Sequence, residues 1–484
     1  VTLAETIKDY CNAGFAGIWV QTHEPDEAQA ELGKLCREND WDLHAWDFAR
    51  GVPQRGGKAE PVWPLDEADA QHQGTHLWLL HNYHKYLANP MVSQHLANSV
   101  QEGKSNHTHF IALSPVVQIP AELEKLFVVV EHELPDAKTL KQIADELPRR
   151  DAPPASDECV QAATGLTRYE AESAFSLSLG RHGTFKPEEV WELKASTLKK
   201  AGLLELLRGK TLFKDLGGME NMKAFARKAF APGRPVRPKG ILILGPSGTG
   251  KSAFAVSLGN EVKRAIVQGD MGACKGSLVG ETQQKTRAMF KSADAQAPCI
   301  LFFDEIEKGL AGATGHQGDG GTSADQFGHF LIWSNDHQSD VQLVATCNNI
   351  NALPPEFARA ERWDAIFFLD LPTRVEKDMI WEIYVKAFNI DRGSLPDMYD
   401  RDEGWSGAEI KTCCRLAALL DVNLVEASQY VVPVAKTAAD KVQALREWAS
   451  GKCISASSPG VYQCRKEQKD RPRRAIVGKN SQNN

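Results

Sequence analysis

The chain has 484 residues, 42% of them hydrophobic, and a formal net charge of -7. That length suggests roughly three domains with sizeable cores, and the acidic balance excludes bulk electrostatic attraction to nucleic acid or anionic lipid. No apolar run approaches the ~20 residues of a membrane span, and the 10 scattered cysteines contain no C-x-x-C pair, so neither a zinc site nor a disulfide framework is expected.

The opening "VTLAETIKDYCNAG" lacks the basic start and apolar core of a secretory signal. Next, the β-rich "FAGIWVQTH" precedes the amphipathic, helical "PDEAQAELGKLCREND", and "THLWLLHNY", "HTHFIAL" and "LFVVVEHEL" are further strand candidates. The histidines from His72 to His109 share no recurring ligand spacing and read as surface or core residues rather than metal ligands. "RRDAPPASDE" (149–158) reads as a linker, followed by a helical stretch to about Gly209. "FKDLGGMENMKAF" opens a second α/β region through "ILILG", "AIVQGD", "CILFFDE", "QLVATCN" and "AIFFLDL". From "PTRVEKDMIWEIYVKAF" to about Ser450 the pattern is helical, and "QCRKEQKDRPRRAIVGKNSQNN" is a polar, basic tail expected to be disordered. Strands alternating with helices imply mostly parallel sheets covered by helices. The expected division is a first domain at 1–208, α/β over 1–150 and helical over 158–208, then an α/β core at 209–372, a helical lid at 373–452 and the tail at 453–484.

The two halves share one plan. "HFIALSPVVQIPAELEKLFVVVEHELPDAKTLKQIADEL" and "QLVATCNNINALPPEFARAERWDAIFFLDLPTRVEKDMIWEIY" each run strand, loop, proline-glutamate turn, strand, "ELP" or "DLP" and helix, and "GLTRYEAESAFSLSL" echoes "GWSGAEIKTCCRLAALL". In the first half, "GIWVQTHEPDEA" stands where a glycine loop would be and has no Gly-Lys pair, and "LWLLHNYH" has no carboxylate pair. Residues 1–208 are therefore expected to be non-catalytic.

In the second half, "GPSGTGKS" fits G-x-x-x-x-G-K-[ST] over Gly245, Pro246, Ser247, Gly248, Thr249, Gly250, Lys251 and Ser252. The glycines let successive N–H groups turn toward phosphate oxygens, and the helix that follows directs its N-terminal dipole at the same anion. Lys251 is expected to reach the β- and γ-phosphates and Ser252 to ligate Mg²⁺. "CILFFDEIEK" ends a buried strand in two acids: Asp304 for Mg²⁺ through water, and Glu305 to orient and deprotonate the attacking water. In "VATCNN", Asn348 or Asn349 is placed to hydrogen-bond that water or the γ-phosphate. In "EFARAERWD", Arg359 and Arg362 either stabilise γ-phosphate charge from a neighbouring subunit, an effect worth about 10³–10⁵-fold in rate, or form a surface pair with Glu356 or Glu361.

The ordered run "DLGGMENMK", "GPSGTGKS", "LVGETQQKTRAMF", "ILFFDEIEK", "ATCNNINALPPEFARAERWD" and "WSGAEI" resembles the AAA+ ATPases over about residues 211–450, and more narrowly the hypothetical-chloroplast-reading-frame type of cyanobacteria, other bacteria and plastids. The resemblance implies a P-loop NTPase sheet with a C-terminal helical lid, preceded by a degenerate AAA-like α/β domain. It makes Asn348 the γ-phosphate sensor and Arg359 and Arg362 trans-acting fingers. It places Asp215, Gly217 and Gly218 at the adenine, and Gly407 and Ala408 in the lid against the nucleotide. It also implies a ring, usually of six subunits, that binds ATP and Mg²⁺ between neighbours. Leu278 and Val279 fall in its pore segment, where protein-threading members carry an aromatic at the position of Leu278. The glycine-rich 309–326 is either a second pore loop or a flexible connection.

Two function classes follow: a motor that remodels or threads a protein client, or an ATP-switched scaffold with slow turnover. A nucleic-acid translocase is disfavoured, because Glu467 and Asp470 interrupt the basic tail. Reduced cysteines point to a cytosol-like compartment, or to an organelle stroma if a transit segment has been removed.

Overall fold

The computed structural model describes residues 2–52, 60–69, 74–148, 152–231, 234–276, 281–310, 322–359, 361–391, 393 and 395–464. The chain divides into two compact units, Val1–Ser196 and Thr197–Asn484.

The first unit holds five strands: β1 (Gly17–Gln21), β2 (Asp42–Trp46), β3 (His76–His81), β4 (Thr108–Ser114) and β5 (Phe127–Glu131). They form an all-parallel sheet in the order β2-β3-β4-β1-β5. Both faces are buried, which is why these strands read as continuous apolar runs rather than alternating ones. Ile18, Val20, Leu77, Leu79, Ile111 and Leu113 pack on one face, and Trp19, Trp78, Leu80, Phe110 and Ala112 on the other. Helices Ala137–Glu146, Asp157–Ala163, Arg168–His182 and Pro187–Ala201 follow. Leu140, Ile143, Cys159, Ala171, Phe175 and Val190 from these helices share a separate core.

The second unit holds β6 (Leu204–Leu207), β7 (Gly240–Leu244), β8 (Ala265–Gly269), β9 (Cys299–Phe303), β10 (Val341–Cys347), β11 (Ala365–Phe368) and β12 (Ile454–Ser455), in the order β12-β11-β7-β10-β9-β8-β6. All neighbours are parallel except β6 and β8. Counting strands in chain order from β1 and from β7, both sheets run fifth, first, fourth, third, second. The expected repeat is thus present in the topology. After β11 come the lid helices, among them Arg374–Ala387 and Gly407–Leu420, around a core that includes Trp381, Trp405, Cys413 and Cys414.

Two expected boundaries are corrected. Residues 204–207, assigned to the helical segment of the first half, are β6 of the second sheet, and the units part at 196/197 instead of 208/209. The Leu-rich "AGLLELLRGK" reads as helix, but Gly202 at φ 71 stops the preceding helix. From there Leu204 and Leu206 turn inward while Glu205 faces out, the period of a strand. The tail also begins later than 453. Ile454–Ser455 pairs with β11, Asn221 Nδ2 donates to Ser455 O (2.7 Å), and the Met222 N–H donates to Ala456 O (3.0 Å). The Tyr462 hydroxyl donates to Asp370 Oδ2 (2.7 Å), and Arg446 from the last lid helix pairs with the same carboxylate (2.9 Å). The rest of the expected tail, residues 465–484, lies outside the described residues.

Candidate active site

Every residue of β7 is buried, and this strand delivers the segment Gly245–Gly250 to the start of helix Lys251–Val262. Gly248 (φ 82) and Gly250 (φ 100) adopt left-handed backbone, which glycine enters without steric cost. At Gly245 a Cβ would lie 2.2 Å from Leu369 O, so the loop is pressed against the backbone after β11. Lys251 is 6% exposed, and its Nζ donates to Gly245 O (2.9 Å) and Pro246 O (2.8 Å). Burial lowers its pKa from 10.5 to about 8, against the opposing pull of the Asp304 carboxylate.

Beside this loop, β9 ends in Asp304 and Glu305. Ser252 Oγ lies 2.9 Å from both Asp304 oxygens. A hydroxyl and a carboxylate so converged form a hard oxygen pair suited to Mg²⁺, which takes one or two carboxylates and completes its shell with phosphate and water. Thr346, fully buried on the neighbouring β10, ties the two acids together. Its hydroxyl accepts the Glu305 N–H (2.8 Å) and donates to Asp304 Oδ1 (2.6 Å). Glu305 has left-handed backbone (φ 47). One of its carboxylate oxygens accepts from Asn348 Nδ2 (2.5 Å), and the other pairs with Lys308. That ion pair raises the Lys308 pKa. The Asn348 N–H donates to Glu307 Oε1 (2.9 Å), which fixes the residue, while its Oδ1 is buried with no partner among the described residues. Of Asn348 and Asn349, it is Asn348 that lines the cavity.

The cavity, of about 300 Å³, is bounded by Ser247–Ser252, Asp304, Glu305 and Asn348 on one side and by the lid on the other. Gly407 and Ala408 stand at the start of a lid helix, and the Ala408 N–H donates to Gly248 O (3.0 Å). Asp215 and Gly217 line the far end. The Asp215 carboxylate is used within its own turn, accepting the Leu212 N–H (2.8 Å). A Cβ on Gly217 would meet Ile380 Cγ1 at 2.6 Å, and one on Gly218 (φ 79) would meet Glu376 Oε1 at 2.7 Å, so these glycines let the segment lie against the lid helix Arg374–Ala387. The loop donors and lysine, the acid pair, and the apolar far wall together fit a nucleoside triphosphate with a divalent cation.

Sequence reasoning missed some of that wall: Leu216, Met219, Ile380, Ile383 and Tyr384 line the cavity. The spacing of Ile380, Ile383 and Tyr384 marks one helix face, but the same helix also builds the lid core, and spacing alone does not divide the two duties. Thr346 was missed as well, since a threonine inside "QLVATCN" is an ordinary strand former.

Arg359 and Arg362 lie apart from the cavity, in the turn after Pro355–Ala358. Arg359 is half exposed and pairs with Glu356 (3.7 Å), one of the two carboxylates expected for a surface pair. Arg362 donates to the Glu356 carbonyl, and its pKa is lowered by burial and by the Arg359 charge. Leu278 and Val279 lie outside the described residues, as do residues 311–321 of the glycine-rich run.

Comparison with known proteins finds three matches along the chain. Residues 241–371 match the ATPase family associated with various cellular activities (AAA). Residues 3–132 match the N-terminal domain of SpoVK-like AAA ATPases, and residues 137–201 their second domain. The uncharacterized AAA domain-containing protein ycf46 of Guillardia theta is 27% identical, over 93% of this chain and 96% of that protein. Its counterpart in Pyropia yezoensis is 28% identical over 91% and 96%. The proteasome-activating nucleotidase of Saccharolobus solfataricus is 26% identical, over 63% of this chain and 79% of that protein.

Proposed function

From a chain that carries an AAA ATPase domain behind SpoVK-like first and second domains, we propose that it binds and hydrolyses Mg-ATP at the subunit interfaces of a homo-oligomeric ring, usually of six, to remodel or thread a protein client. The observation that carries this reading is the placement of Glu305. It sits beside Asp304, tied to it through Thr346, and next to Asn348, at the mouth of the loop that holds Lys251. In this reading the loop N–H groups and Lys251 bind the phosphates, and Ser252 and Asp304 hold Mg²⁺, which neutralises phosphate charge when bound. Glu305 takes the proton of the attacking water, and Asn348, whose Nδ2 donates to that carboxylate, helps to place it. The apolar wall from Leu216 to Tyr384 takes the base. Arg359 and Arg362, outside the cavity, serve the neighbouring subunit's γ-phosphate, and Leu278 and Val279 are the residues assigned to contact with the client. The first unit serves recognition or assembly.

A second reading, an ATP-switched scaffold with slow turnover, draws on one observation: both Glu305 oxygens are engaged, by Asn348 and Lys308. Release of that carboxylate would then set the rate. Among the described residues no helix is long and apolar enough to cross a membrane, and the cysteines, nearly all of them buried, form no disulfide with one another. Reduced thiols suit a cytosol-like or stromal compartment, and this is the setting the proposal assigns.

Phosphate release from the wild type, lost in Glu305→Gln while ATP binding persists, tests the chemistry. Mixing inactive Arg359→Ala with inactive Lys251→Ala subunits tests the interface, since turnover returns only if the arginine acts on its neighbour. A wild type that releases no phosphate in any oligomeric state refutes the proposal.

A further inference from the structure

The shared strand order allows the two units to be compared at the turn that follows the first strand of each sheet. In the second unit, β7 leads into the six residues Gly245–Gly250, and the lid helix Gly407–Leu420 meets that loop through the Ala408 N–H and Gly248 O (3.0 Å). In the first unit, β1 leads into only Thr22, His23 and Glu24 before helix Pro25–Asn39. The short turn is fastened at several points. The Thr22 N–H donates to Ser114 O (2.8 Å), the Thr22 hydroxyl accepts the Glu24 N–H (2.9 Å), and it shares a hydrogen bond with His132 Nδ1 (2.9 Å).

Glu24 precedes helix Pro25–Asn39 but makes no side-chain cap there. Its carboxylate instead reaches across to helix Arg168–His182, 144 positions on, where Oε2 accepts the Arg168 N–H and Oε1 the Tyr169 N–H, both at 2.9 Å. This helix is the repeat partner of Gly407–Leu420. Each is preceded by a hydroxyl residue whose N–H donates to a glutamate three positions on, Thr167 to Glu170 (3.0 Å) and Ser406 to Glu409 (2.5 Å). Arg168 and Tyr169 thus correspond in order to Gly407 and Ala408. Both carboxylate oxygens are used, on two donors that have no partner within their own helix and that carry the positive end of its dipole.

We propose that Glu24 is a built-in substitute for a bound anion: it fastens the helical portion of the first unit to its sheet without any nucleotide. The junction between strand turn and lid helix, which in the second unit borders the triphosphate cavity, is sealed in the first by the chain's own carboxylate. Its closure is therefore permanent, and response to nucleotide is confined to the second unit. This rests on contacts within the first unit and stands whether or not the second hydrolyses ATP.

Hydrogen exchange followed by mass spectrometry on the full chain tests it. In Glu24→Ala, the amides of Arg168 and Tyr169 should exchange at least about tenfold faster than in the wild type, a change equal to ~1.4 kcal/mol. Sodium acetate should restore their protection, and sodium chloride at the same ionic strength should not. Unchanged exchange in segments of β7 and helix Lys251–Val262 checks that the variant is folded. In the wild type, ATP should leave 168–170 unaltered. Three results would each overturn the proposal: exchange in Glu24→Ala equal to the wild type, faster exchange that acetate does not restore, or wild-type protection at 168–170 that depends on ATP.

Discussion

Thr346→Val isolates the hydroxyl that joins the two acids. Valine keeps the branched side chain of threonine but puts a methyl where the hydroxyl stood, so the change falls chiefly on two hydrogen bonds. One, to Asp304 Oδ1 at 2.6 Å, involves a charged acceptor and is worth ~1.5–3 kcal/mol. The other leaves the Glu305 N–H, now bonded at 2.8 Å, without its acceptor, at a cost of ~1–3 kcal/mol. Because the two share one oxygen they do not simply add, and the expected loss of stability is about 2–4 kcal/mol, to be read from the urea midpoint of the second unit. Catalysis should suffer further, since Asp304 and Glu305 lose the group that orients them; a fall in kcat of roughly 10–100-fold is the usual scale for such supporting contacts. Thr346→Ser keeps the oxygen and should recover most of the activity. Denaturant titration and steady-state phosphate release on the three proteins decide the matter. A valine variant with the wild-type midpoint and the wild-type kcat would show that Thr346 neither supports nor orients the acids.

Two further outcomes are expected. Lys251 has a folded pKa of about 8 against an ordinary 10.5, so between those values the unfolded chain holds a proton that the folded chain has released, and stability rises with pH across that window. The cost, about 3 kcal/mol, is fully present below pH 8 and gone above 10.5; in urea titrations from pH 7.5 to 10.5 the stability of the wild type relative to Lys251→Met should rise with pH, the buried cysteines contributing equally to both, and parallel curves would disprove it. Tyr462→Phe removes the hydroxyl that donates to Asp370 at 2.7 Å, and should lower stability by about 1–2 kcal/mol; a Tm equal to the wild type would mean that this contact does not hold the C-terminal strand.

What the sequence reveals and what it hides divide along a physical line. The loop Gly245–Gly250 is legible because all its requirements are local: strand, glycines, lysine and helix are contiguous. The strands are legible because burial on both faces writes apolar runs, and the repeat is legible because order along the chain survives where residue identity does not. The features that escaped depend on partners distant in sequence. β6 exists because β8 accepts it, and β12 because β11, Asn221 and Asp370 do. Thr346 matters only through two acids more than 40 positions away. Glu24 looks like any acid at a helix start, and its true partner is another helix's first turn.

The strand at Ile454–Ser455 changes how the lid can move. The chain leaves the sheet for the lid just after β11 and comes back from it at β12, the strand alongside. The helical region between is therefore tied at both of its ends to adjacent strands, and Asp370, just past β11, holds both Arg446 of the last lid helix and Tyr462 beyond β12. A body tied down at two ends is restrained more than one hung from a single linker, and to swing free of the sheet it would first have to peel β12 away.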